Sequence, residues 1–413
     1  MKIWILQTGE PLHIDSAGLR PMRAMNLSNA LIEKGHQVVL WSSDFDHFSK
    51  KHRTGKTSTI QVSENLELRL ISSRGYKSHV GLSRLFDHAQ LAFNLRKELK
   101  NQTAPDVAFI GYPPIETAWV MTNWLTKKKI STMVDVKDAW PDVLLRAFPK
   151  NFRGLAKIAL TPYFLMMKST LSKASAISSI SEPFLIWSLK VATRPLNQFD
   201  NVSILTSPVE VFSEEELNKS RTFWDSKFVT NKSKVRCFYV GSLTEALNFD
   251  GIIYAARNSD VEFVIAGTGP TEKTLREAIF DLPNVKMPGW ISSAQAKILA
   301  ERSTFMLAPY ANLDDFSIAL PNKFLDAMKF SKPILTSIPG FAANFVTTKG
   351  IGVVYSNEKI SSLLEIFRDL SSDPDKIFKM AKNSGTAFEN LFTYDTVYGQ
   401  LVEKLVQMFH REK

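Results

Sequence analysis

The stretch from Leu320 to Leu335 concentrates the chemistry of this chain: Pro321, Asn322, Lys323 and Asp326 open a short helix-like segment, and Lys332-Pro333 leads into an apolar run. Pro321 suits the first helical turn, where its missing N–H is no loss. Asn322, Lys323 and Asp326 lie three to four residues apart, so they share one face of that helix. Free backbone N–H groups and the dipole at this end favour an anion. A diphosphate would sit on the helix start while the Asp326 carboxylate accepts hydrogen bonds from a sugar diol. An ordinary α/β helix with a capped start accounts for the same residues equally well.

Two glycine turns precede this cradle. Gly241-Ser242-Leu243-Thr244 follows a strand-like run and lets backbone amides approach an anion. Gly267-Thr268-Gly269-Pro270 follows another and offers a side-chain-free rim for a flat ring, or else is simply a tight turn. In the first half, Glu10, Arg20 and Arg23 fall in a long loop and helix start after the first apolar run. Two arginines three apart can clamp a pyrophosphate, or can form surface salt bridges with Glu10 or Asp15. His13, His36, His47 and His52 show no metal-ligand spacing, and no metal or catalytic triad is expected.

These groups must be held by a chain of 413 residues, too long for one ordinary core and suited to two domains. With 44% hydrophobic and 22% charged residues the composition is that of a globular protein. The single cysteine, Cys237, excludes an internal disulfide and lies in an apolar run that reads as core, in keeping with a reducing cytosol. Met1 to Thr8 stops too early for a signal peptide and reads as a buried strand. No stretch approaches the roughly 18 apolar residues that cross a bilayer. The net charge of +10 is uneven, with +11 in residues 1–200 and −1 in the remainder. Such an excess serves an anionic leaflet, a phosphorylated substrate or mere solubility; no nucleic-acid-binding signature accompanies it.

Strand-like runs alternate with amphipathic helices in both halves, which predicts an α/β protein with parallel sheets covered on both faces. The first domain is expected over 1–205, with strands at Lys2–Gln7, Gln37–Ser42, Asp106–Ile110, Ser131–Val136 and Ala176–Ser179. The polar stretch 206–234 reads as the connection. A second βα series fills 235–387, and residues from about 388 to 413 read as a terminal helix packing back on the first domain. Two doubly wound domains of this kind place their ligands at strand C-termini, in an interdomain cleft.

The order of the motifs resembles the retaining nucleotide-sugar glycosyltransferases of family four, which have the GT-B fold of two facing Rossmann-like domains. The matching segments are Phe238-Tyr239-Val240-Gly241, Phe263 to Pro270, Asn284 to Trp290 and the cradle through Lys332-Pro333. The first half adds Gly9 to Leu12, Arg20 to Arg23, Gly35 to Val38, Asp44 to His47, Val134 to Asp142 and Ile180 to Glu182. They look like a bacterial subgroup that builds O-antigen, capsule or exopolysaccharide.

The resemblance implies that Asp326 takes the place of the second acid of the family's paired-acid motif, the one that binds the ribose. Eight residues earlier stands Ile318, so the first acid is missing, and Asp314, Asp315 or a loop backbone group would replace it. Ser242 and Ala246 or Leu247 stand where most members carry an arginine and a lysine for the diphosphate; Lys323 is the substitute, its ammonium neutralising the leaving group. The family's first-domain histidine aligns with Lys137. Lys137 or Asp138 would contact the reacting sugar or acceptor, unless Asp138 is a helix N-cap.

The implied reaction moves a sugar, with retention, from a nucleotide-diphosphate sugar to a polyprenyl-diphosphate-linked or oligosaccharide acceptor. It needs no cofactor beyond the nucleotide-sugar cosubstrate. A non-hydrolysing nucleotide-sugar epimerase of the same fold and a catalytically silent scaffold are the rivals. The basic first half and the apolar-basic stretch Phe152 to Lys173 predict a cytoplasmic protein peripheral on the inner membrane face.

Overall fold

A computed structural model describes residues 1–16, 19–77, 81–146, 148–230, 235–312 and 318–411. The chain divides into two compact units, Met1–Ser207 with Tyr394–Lys413, and Pro208–Thr393.

The first unit carries a sheet of eight strands in the order β3-β4-β2-β1-β5-β6-β7-β8. They span β1 Lys2–Leu6, β2 Gln37–Ser43, β3 Ser58–Ser63, β4 Leu66–Ile71, β5 Val107–Tyr112, β6 Thr132–Val136, β7 Ala176–Ser179 and β8 Asn201–Val202. All pairings are parallel except β3 with β4, an edge hairpin that the sequence reading did not anticipate. Its first strand is almost entirely polar and exposed, so it lacks the apolar run by which strands are recognised. Along β1, alternation sorts the side chains: Trp4 and Leu6 join one core with Trp41, Ile110 and Tyr112. Ile3 and Ile5 join the other with Leu40 and Phe109. The terminal helix Tyr394–Arg411 closes that second face with Tyr398, Leu401, Leu405 and Met408, a stripe at helical spacing. Its hydroxyls reach back into the unit, Tyr394 donating to the Asn26 carbonyl at 2.9 Å and Tyr398 to Thr206 at 3.1 Å.

In the second unit six parallel strands run in the order β11-β10-β9-β12-β13-β14. They are β9 Arg236–Val240, β10 Glu262–Ala266, β11 Val285–Gly289, β12 Phe305–Ala308, β13 Ile334–Thr336 and β14 Gly352–Val354. Counted from β9 this is 3-2-1-4-5-6, the order of a dinucleotide-binding fold, with its reversal between β9 and β12. Cys237 on β9 is fully buried. The stretch 206–234, read as a connection, contains the helix Glu214–Ser226. That helix starts on a capping box between Ser213 and Glu216 and buries Trp224, whose indole donates to the Gln295 carbonyl at 2.8 Å. It therefore packs as part of the second unit.

Candidate functional site

In the second unit the loops after β9 and β12 meet at the strand-order reversal, where open α/β sheets bind ligands. The turns after β9 and β10 are zipped together by backbone: Gly241 donates to Ala266 at 3.0 Å and Leu243 to Thr268 at 2.9 Å. This explains the G-x-G turn. Gly267 has φ +140°, and a Cβ there would stand 1.8 Å from the Gly241 carbonyl oxygen; at Gly269, φ +158°, it would stand 2.1 Å from that of Leu243. The side-chain-free faces of Gly267 and Gly269, which the sequence offered to a flat ring, are thus filled by the chain's own backbone. Gly241 serves differently, since a Cβ there would come within 3.0 Å of Lys323 Cε and 2.8 Å of the Tyr239 hydroxyl. Lys323 therefore lies across the glycine turn.

The helix Asn322–Lys329 begins one residue later than the sequence suggested. Pro321 is its N-cap, extended at φ −62°, ψ 151°, and its carbonyl accepts from Phe324 at 2.9 Å. Phe324, Leu325, Ala327 and Met328 are buried while Asn322 is exposed, so the apolar stripe turns the first polar turn outward. Among the described residues no side chain caps this start and no acid stands in its first turn, so the Asn322 and Lys323 N–H groups receive no side-chain cap. Lys323 and Asp326 are brought together, Nζ to Oδ2 at 2.7 Å, with side chains 16% and 17% exposed. Ser242 is exposed beside them, and its carbonyl accepts from the Tyr239 hydroxyl at 2.9 Å.

Tyr239 and Tyr310 were not singled out from sequence. Burial pushes both phenols above the ordinary tyrosine range, and the negative charge of Asp326 adds to the effect in both. They stay protonated donors next to the Lys323–Asp326 pair. Tyr310 is anchored through its carbonyl, which accepts from Ser337 at 2.8 Å and Asn357 at 3.0 Å. A tyrosine in or just after a buried strand looks like any core aromatic, so no local signal marks these two. Ile318 is half-buried, and the proposed stand-ins Asp314 and Asp315 lie outside the described residues.

In the first unit the residues after β1 and β6 form a buried charge cluster. Glu10 accepts from the Ala24 backbone N–H at 2.8 Å, capping the helix Arg23–Glu33, and pairs with the Lys137 ammonium. Lys137 also lies 3.9 Å from Asp135 of β6, which in turn accepts from Ser178 at 2.8 Å. Arg23 completes the set with Nε 3.2 Å from Asp135 Oδ2. Burial works against its charge, but Asp135, Tyr398 and Glu10 outweigh it and raise its pKa. Arg20 and Arg23 therefore do not form a clamp: Arg20 is exposed, whereas Arg23 points inward and also bonds the Ser203 carbonyl. Asp138 accepts from the Trp140 indole at 3.2 Å. Among the described residues no three His, Cys, Asp or Glu side chains converge as a metal ion would need.

Residues 220–386 match the family described as Glycosyl transferases group 1, a span that lies within the second unit. The second unit thus contains a group 1 glycosyltransferase domain, and the chain is a glycosyltransferase. No curated protein matches the sequence. Solved structures carry the likeness over the whole chain. Sucrose-phosphate synthase from Thermosynechococcus elongatus is 13% identical with a TM-score of 0.69, and covers 99% of each chain. Anabaena Alr3699/HepE, in complex with UDP and glucose, is 14% identical with a TM-score of 0.61, covering 98% of this chain and 100% of that one. WaaG, a glycosyltransferase involved in lipopolysaccharide biosynthesis, is 13% identical with a TM-score of 0.61, covering 98% and 99%. At these identities the likeness shows the GT-B fold.

Proposed function

We propose that this chain transfers a sugar with retention from a nucleotide-diphosphate sugar to a hydroxyl of a lipid-linked or oligosaccharide acceptor in bacterial surface polysaccharide assembly. The observation that carries the reading is the Lys323–Asp326 pair lying across Gly241 at the uncapped helix start. In the resting chain each neutralises the other. An arriving donor offers each a better partner: the diphosphate takes Lys323 and the helix N–H groups, and the ribose diol takes the released Asp326. The likeness in fold to a protein solved with UDP and glucose and to a glycosyltransferase involved in lipopolysaccharide biosynthesis supports the donor and pathway classes.

The bond between the anomeric carbon and the diphosphate oxygen breaks while the acceptor oxygen bonds to the same carbon from the same face. The acceptor proton passes to the departing oxygen, so no dedicated base is needed. Lys323 stabilises the charge that develops there. Lys137 and Asp138 are assigned to the reacting sugar or the acceptor, with Glu10 and Arg20 on the acceptor side.

Calorimetric titration of UDP, GDP, ADP and TDP into the wild type and Asp326→Ala tests the donor site. Selective binding of one nucleotide, lost in the variant, is the expected result; binding of none removes the reading.

No helix of the described residues is long and apolar enough to cross a membrane. Instead, Phe152, which caps the helix Arg153–Ala159, Leu155 and Ile158 on that helix, and Leu165 on the helix Thr161–Lys173 are each 60% or more exposed, beside Lys157 and Lys168. This apolar face with cationic flanks supports docking on the anionic inner face of the cell membrane. Vesicles containing phosphatidylglycerol should sediment the wild type at low salt and release Leu155→Asp/Ile158→Asp; a wild type that stays in the supernatant removes the docking.

A further inference from the structure

We propose that Lys50 and Arg84, which share the ring of Tyr76, form a second anion site in the first unit that holds a phosphate or diphosphate group of the acceptor. The inference rests on the transferase reading and names the chemistry of its acceptor. Lys50 lies in the loop after β2, Tyr76 beyond β4, Arg84 in the first turn of the helix Leu82–Leu99, and Trp140 beyond β6. All four thus stand at the C-terminal edge of the sheet, where Lys137 and Asp138 also stand. The Lys50 ammonium is 4.8 Å and the Arg84 guanidinium 5.6 Å from the centre of the Tyr76 ring. Arg84 also lies 5.2 Å from the centre of the Trp140 ring, and the Trp140 indole is the group that donates to Asp138. One ring therefore links the cation to the carboxylate assigned to the reacting end.

Several features fit an anion between the two cations. Lys50 and Arg84 are both half-buried, and the Tyr76 hydroxyl is held by His47 Nδ1 at 2.5 Å. Lys50 adopts φ 57°, a conformation that a lysine rarely takes, with its N–H bonded to the Asp46 carbonyl at 3.0 Å. The Asp46 carboxylate is itself engaged by the N–H groups of Phe48 and Ser49. Burial and then the charge of Arg84 hold the Lys50 ammonium below the usual lysine range, against the pull of Asp46. Arg84 also stands in the first turn of a helix with no acid there, where the dipole disfavours a cation and favours an anion beside it.

The test uses the full chain carrying Lys323→Ala, so that the cation of the donor cradle is absent, and calorimetric titration of inorganic pyrophosphate. Adding Lys50→Met or Arg84→Gln should weaken binding by about tenfold or more, while Lys50→Arg, which keeps the charge, should restore it. Unchanged affinity in both Lys50→Met and Arg84→Gln overturns the proposal. Geranyl diphosphate and glucose 6-phosphate, titrated in parallel, should lose affinity in the same variants. Tighter binding of the first points to a lipid-linked acceptor, and of the second to a phosphosugar. UDP titrated into Lys50→Met with Lys323 intact separates the two readings. If UDP binds as in the wild type while pyrophosphate ignores Lys50 and Arg84, the anion site fails and the donor site stands. If UDP does not bind the wild type but pyrophosphate responds to Lys50 and Arg84, the donor reading fails and the anion site stands.

Discussion

Arg23 Nε lies 3.2 Å from Asp135 Oδ2, and both side chains are fully withdrawn from solvent. The pair ties the helix Arg23–Glu33 to β6, and Glu10 and Lys137 extend it into a cluster of two acids and two bases. An ion pair of this kind is tolerated in a low-dielectric interior because each charge compensates the other.

Breaking that pair should be costly. Arg23→Met leaves Asp135 without its buried cation and should destabilise the first unit by about 3–5 kcal/mol. Urea unfolding checks this. Arg23→Met combined with Asp135→Leu should recover part of the loss, because no lone charge then remains inside.

Lys323 should act on turnover more than on binding. If its ammonium meets charge that develops on the departing diphosphate, Lys323→Ala lowers kcat by about a hundredfold or more. Donor affinity should change much less. Steady-state kinetics with a hydrolysable donor report both, and an unchanged kcat would remove Lys323 from the chemistry.

Gly267→Ala should damage the second unit. The new Cβ would meet the Gly241 carbonyl oxygen at 1.8 Å, and backbone cannot swing aside as a flexible side chain can. A loss of about 2–4 kcal/mol is expected from a clash and an unfavourable φ together. Gly9→Ala, at a positive φ with nothing within 4 Å, separates the backbone contribution from the steric one.

Glu116 makes the stability of the first unit depend on pH. Burial raises its carboxyl from 4.5 to about 7, against the opposing pull of a backbone N–H, the Tyr163 hydroxyl and the charge of Arg84. Between those two values the folded chain keeps a proton that the unfolded chain has released. The contribution of Glu116 is therefore fully present below about pH 4.5 and lost as pH rises through about 7. His88, whose Nδ1 is 3.8 Å from Glu116, is lowered by burial from 6.5 to about 3, so its contribution grows with pH over that range. The two oppose each other between about pH 4.5 and 6.5. Glu116→Gln leaves the rise due to His88 unopposed. Its stability relative to wild type should climb by about 3 kcal/mol from about pH 4 to about pH 8. Denaturant unfolding across that range checks it, and a pH-independent difference would show that Glu116 does not titrate in this way.

Periodicity sufficed for the central strands because their residues are apolar on both faces. β1 and β2 lie where unbroken runs of Ile, Val, Leu and Trp predict buried parallel strands, and β6, β7 and β9 where shorter, mixed apolar runs do. The hairpin β3-β4 and the helix Glu214–Ser226 escaped the same reading: β3 is a mostly polar edge strand, β4 alternates leucine with charged residues instead of forming an unbroken apolar run, and the capped helix lies in a polar segment. Lys323 and Asp326 were legible as a pair because they sit three apart on one helix.

What the sequence determined by itself is local: strands from apolar runs, the helix that carries Lys323 and Asp326, the glycine turns, and the order of motifs that points to a GT-B glycosyltransferase. Only the tertiary structure decided which charged groups remain within reach of a ligand. Arg23 is spent inside on Asp135, Gly267 and Gly269 are spent on backbone packing, and Tyr239, Tyr310, Lys50 and Arg84 arrive from distant segments. The physical reason is that spacing along the chain fixes neighbours only within one helix or strand. Burial and charge compensation between elements depend on how strands far apart in sequence come to lie side by side.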